Sequence, residues 1–108
     1  MPIDEITIGE LKRIQNTAMS IMHDLINNNF QTAKIDLSWI DYYMTEIGKH
    51  SQFISKKIDD AIEAVDGICN ANSYQDISQN YRKVRRLLNS IIIYASSPKS
   101  HEPLENLS

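Results

Sequence analysis

Phe30 to Cys69, FQTAKIDLSWIDYYMTEIGKHSQFISKKIDDAIEAVDGIC, is the stretch whose reading decides the fold. Phe30, Ala33, Leu37, Ile40, Met44, Ile47, Ser51, Ile54, Ile58, Ala61, Val65 and Ile68 alternate by three and four, and Ser51 is the sole polar member. That spacing is a heptad stripe, the pattern of one helical face packed against partner helices. No proline interrupts it, and a glycine inside a helix, here Gly48, costs only about 1 kcal/mol against alanine. The expectation is therefore one continuous helix over 30–69, about 40 residues and about 60 Å long.

On the N-terminal side, Thr7-Ile8-Gly9-Glu10 has the form of a capping box and predicts a helix from Ile8. Leu11, Ile14, Ala18, Ile21, Met22 and Leu25 follow on one face, giving a helix over about 8–27. Asn27-Asn28-Asn29 then reads either as a turn, since asparagine tolerates the left-handed conformation, or as a phase slip in a continuous helix.

On the C-terminal side, Gly67 and Asn70-Ala71-Asn72 are turn-compatible, and Ser73-Tyr74-Gln75-Asp76 is a second cap, so a helix restarts at Tyr74. Tyr74, Ile77, Tyr81, Val84, Leu88, Ile91 and Ala95 form its inner seam, and Ser96-Ser97-Pro98 ends it. The expected domain spans 1–97, with a disordered polar tail over 98–108. The fold class is all-α: an elongated helical hairpin or three-helix unit with a long central amphipathic helix, coiled-coil-like and self-associating. Two shorter helices cannot cover the whole central seam, so Leu37, Ile40, Met44 and Ile47 are expected to line a seam between copies in a homo-oligomer.

The 108 residues carry 14 acidic and 11 basic side chains, a net charge of -3, which disfavours a dedicated nucleic-acid binder. Arg82, Lys83, Arg85 and Arg86 remain a local basic run. Folded back across the turn, Arg82 and Lys83 come level with Asp59 and Asp60, which reads as a charge-balanced hairpin surface; a phosphate-binding patch is the alternative. The acidic start MPIDEITIGE has no signal-peptide character, and no window holds a transmembrane run, so no transmembrane segment is expected. The lone Cys69 reads as a small apolar residue in a reducing, cytoplasmic setting.

No catalytic, cofactor or metal constellation emerges. His23, His50 and His101 lack metal spacing, Glu46 and His50 alone do not make a carboxylate-bundle site, and no phosphate loop or nucleophile elbow is present. The chain reads as a non-enzyme. The informative feature is a second apolar stripe, Ile35, Trp39, Tyr42 and Phe53, opposite the heptad seam of the long helix. Either a further helix or subunit covers it, or it is an adhesive face for a hydrophobic surface or a partner helix, a role that suits Trp and Tyr with their apolar bodies and polar tips.

The segment HSQFISKKIDDAIEAVDGICNANSYQDISQNYRKVRRLLNSIIIYASS resembles the phasin family, the proteins that coat polyhydroxyalkanoate granules. The resemblance is carried by a long amphipathic helix, a short small-residue break, and a helix opening with Ser73, Gln75, Asp76, Ile77 and Gln79, and it covers roughly Phe30 to Ser97. It implies a cytoplasmic, non-enzymatic protein that coats hydrophobic polyester granules through amphipathic helices. A helical adaptor or chaperone gripping a partner's amphipathic helix is the other expectation.

Overall fold

The computed structural model describes residues 5–97, with side chains from residue 8. The expected tail over 98–108 lies outside the described residues. Four helices occur among the described residues: α1 Glu5–Ile26, α2 Phe30–Glu46, α3 Gln52–Cys69 and α4 Tyr74–Ser96. The chain is all-helical over these residues, but the single helix expected over 30–69 is two helices that double back on each other.

Gly48 is the cause. Its φ is 72°, a left-handed conformation that glycine adopts without steric cost. Around it Gly48 N–H donates to Thr45 O at 3.0 Å and Lys49 N–H donates to Met44 O at 2.9 Å. These bonds satisfy the last carbonyls of α2 and end it. Three residues later Ser51 caps α3, its hydroxyl accepting from Ile54 N–H at 3.3 Å. His50 ties the corner together, its Nε2 lying 2.8 Å from Asp41 Oδ1 on α2 and 3.1 Å from Ser55 Oγ on α3.

The Asn27-Asn28-Asn29 segment is a turn of the same design. Asn28 holds φ at 60°, Asn28 N–H donates to Leu25 O, and Asn29 N–H donates to Asp24 O at 2.8 Å. The third turn is capped by Ser73, which accepts from Asp76 N–H at 3.1 Å, so α4 starts at Tyr74 as the sequence predicts. The first helix starts earlier than the sequence predicts. α1 is already helical at Glu5, upstream of Thr7, and Glu10 turns instead toward Arg13 Nε at 3.4 Å.

Successive helices run antiparallel. Lys34 near the start of α2 reaches Asp66 near the end of α3 at 2.9 Å. Phe53 at the start of α3 meets Tyr94 at the end of α4, with ring centroids 5.5 Å apart, and Lys49 Nζ donates to the carbonyls of Tyr94 and Ser97. Packing is heaviest between α1 and α2 and between α3 and α4, lighter between α2 and α3, and lighter still between α1 and α4. Gly67 belongs to α3 rather than to the turn. A Cβ there would lie 2.8 Å from the Asn80 side chain, so the glycine lets α4 approach closely.

Ile14, Ala18, Ile21 and Leu25 of α1 share one core with Ala33, Leu37, Ile40 and Met44 of α2, six residues of α3, and Val84, Leu88, Ile91 and Ala95 of α4. Burying a Leu or Ile side chain contributes about 1.5–3 kcal/mol. Leu37, Ile40, Met44 and Ile47 are buried within the single chain. The seam expected between copies is thus packed by the chain's own helices, because the turn at Gly48 folds the two halves of the stripe toward each other. Cys69 is exposed, one step round the helix from buried Ile68.

Candidate functional site: an exposed aromatic face on α2

α2 is apolar on two sides. Ala33, Leu37, Ile40 and Met44 turn inward, while Ile35, Trp39 and Tyr42, at i, i+4 and i+7, share the opposite face. They remain 57%, 49% and 51% exposed. Helical periodicity places them there, and neither α1 nor α3, which flank α2, closes over them.

The rings support one another. Trp39 meets Tyr42 edge-on, with centroids 5.8 Å apart and planes at 89°. It stacks on Tyr43 at 6.0 Å and 24°, and the two tyrosines are 5.9 Å apart. Edge-to-face and offset contacts of this kind are favourable and hold the rings in a defined arrangement. A hydrogen bond to Glu46 and that carboxylate's negative charge push the Tyr42 phenol above its usual pKa.

Phe53 does not join them. In a continuous helix it would fall on the same face as Tyr42, but the reversal at Gly48 carries it to α3. There it packs on Tyr94 and lies beneath Lys57, whose Nζ is 4.6 Å from the ring centroid. The four-residue stripe is therefore a three-residue face plus a separate aromatic contact. Tyr43, half-buried at the edge of the face, completes the cluster; its signal in the sequence was only its place next to Tyr42.

Comparison with family models, curated proteins and solved structures gives no match.

The basic run is arranged differently from the charge-balanced surface expected. Arg82, Lys83, Arg85 and Arg86 are all exposed, yet Arg82 folds back to Ser78, its Nη2 donating to Ser78 Oγ at 3.2 Å. Asp60 pairs with Lys56 on its own helix at 3.5 Å. Among the described residues no ion pair joins the basic run to Asp59, Asp60 or Glu63. No group of three metal-ligating side chains occurs among the described residues, and no described helix is long and apolar enough to cross a membrane.

Proposed function

We propose that this chain is a non-enzymatic helical protein that docks on a hydrophobic surface through the outer face of α2, as a phasin-like coat on polyester granules. The observation supporting this is the half-exposed Ile35, Trp39 and Tyr42 face, on the side of α2 opposite its buried stripe. Removing a half-exposed side chain of this size from water is worth about 1 kcal/mol, so the three together give about 3 kcal/mol. That is a partition of roughly a hundredfold. One chain attaches reversibly, and a coat depends on many chains acting on one particle.

A polyester differs from oil in offering ester carbonyl acceptors at its surface. The Trp39 indole N–H is a donor carried on an apolar ring, the combination such a mixed surface accommodates. The core is built from other residues, so the docking face can change without dismantling the bundle.

Co-sedimentation with polyhydroxyalkanoate particles tests this. The parent chain should pellet with the particles, and the Ile35→Ser/Trp39→Ser/Tyr42→Ser variant should stay in solution while keeping its helical circular dichroism. Phe53→Ser should pellet like the parent, because Phe53 is not part of the α2 face. Equal pelleting of parent and triple variant would refute the proposal.

A further inference from the structure

A second unpartnered surface lies on another side of the bundle. On α4, Tyr74, Ile77 and Tyr81 continue the heptad seam of Val84, Leu88, Ile91 and Ala95, yet burial fails along it. Val84 is fully buried, Tyr81 half-buried, Ile77 38% exposed and Tyr74 84% exposed. Tyr74, Ile77, Ser78, Tyr81 and Arg82 line an open hollow of about 340 Å³.

The contacts of α4 fix which way this surface looks. Asn80 and Tyr94 mark the flank of α4 that packs on α3. Tyr74 and Tyr81 fall on the other flank, toward α1, by helical periodicity. On α1, Asp24 marks the flank facing Asp36 of α2, and Met19 and Ile26 fall on the flank facing away from it. They are 71% and 66% exposed. The end of α1 and the start of α4 occupy the same end of the bundle, and α1 and α4 pack lightly against each other. The hollow itself is lined by α4 residues, at the end of the α4 seam where burial fails.

We infer that this hollow along the N-terminal half of α4 is a docking site for a short acidic amphipathic helix of a partner protein. Two features select that occupant. The exposed seam positions of α4 span two helical turns, about 10 Å, and recur at helical spacing, so a helix laid along the hollow extends the bundle's own packing. Arg82 and Arg85 rise at the α4 rim, exposed and in no ion pair among the described residues, so the complementary rim on the partner is acidic. A nucleic acid fits less well: the hollow is apolar at its base and the chain carries a net charge of -3. This inference does not depend on the α2 face.

A displayed library of amphipathic helices with a fixed Leu/Ile face and flanking positions varied among Glu, Gln and Lys tests it on the full chain. The expected result is enrichment of Glu-flanked helices. A synthetic peptide of the enriched sequence should lose at least about tenfold in affinity for Arg82→Glu/Arg85→Glu and for Tyr74→Ser/Ile77→Ser, and bind Trp39→Ser normally. The charge-reversed chain should in turn enrich Lys-flanked helices, which shows that it is folded and that the rim selects by charge. The inference is overturned if no helix is enriched, if enrichment ignores flank charge, or if the peptide binds the Arg82→Glu/Arg85→Glu chain as tightly as the parent. It is also overturned if oligothymidylate binds the parent and competes with the peptide, or if the chain is a dimer that these same substitutions dissociate.

Discussion

Replacing Gly48 by alanine has opposite consequences in the two folds that the heptad stripe could support. Inside a continuous helix over 30–69, alanine would stabilise the chain by about 1 kcal/mol, the difference in helix propensity between the two residues. In the observed hairpin Gly48 holds φ at 72°, where a Cβ costs roughly 1–2 kcal/mol. The Gly48 and Lys49 N–H bonds to Thr45 and Met44 hold that conformation in place, so it cannot relax without exposing the last carbonyls of α2. The predicted change is a loss of about 1–2 kcal/mol. For a domain of this size each 1 kcal/mol moves Tm by roughly 4–8 °C, so thermal unfolding followed by circular dichroism resolves the sign easily. Urea titration gives the same quantity independently, with an unchanged m-value if the fold is retained. A Gly48→Ala chain more stable than the parent would refute the hairpin and restore the long helix.

Other substitutions probe the remaining layers. Ile40→Ala, at a fully buried position, should cost about 2–5 kcal/mol in urea unfolding, and the loss should not vary with protein concentration because the packing is within one chain. Ser73→Ala removes the cap on Asp76 N–H and should cost about 1 kcal/mol, with amide exchange at the first turn of α4 accelerating more than at Val84. Asp36 is held above its ordinary 3.8 by partial burial and by the hydrogen bond and negative charge of Asp24. A raised folded pKa means the folded state favours the protonated acid. Its stabilising contribution is full below the unfolded value and is lost as pH rises through the folded value. Asp36→Asn should therefore be more stable than the parent at pH 7, with the gap closing toward pH 3 in parallel melts.

The core was legible and the topology was not. From Ala33 to Ile68 every apolar member of the heptad stripe is buried, because the seam faces inward whether the helix runs on or folds back. The three-and-four spacing passes through Ile47, Ser51 and Ile54 without a break, so periodicity carried no trace of the corner. The chemistry did: Gly48 is the left-handed terminator and Ser51, the sole polar seam member, is the cap of the next helix. Treating Gly48 only as a weak interior residue hid both. That error placed Phe53 with Ile35, Trp39 and Tyr42 and assigned Ile40 and Ile47 to a second copy. The exposed α2 triad itself was readable, since i, i+4, i+7 spacing within one uninterrupted helix fixes a face. The hollow on α4 was not, because Tyr74 and Ile77 carry the same heptad signal as buried Leu88, and only the packing of the helices distinguishes them.

Trp39 reports on the proposed docking face directly, being the sole tryptophan of the chain and about half exposed. Its emission should shift to the blue, and its quenching by acrylamide should fall, when polyhydroxyalkanoate particles are added, because the indole leaves water for an apolar layer. Emission and quenching that stay unchanged while the protein pellets with the particles would show attachment through another surface and contradict the assignment of α2.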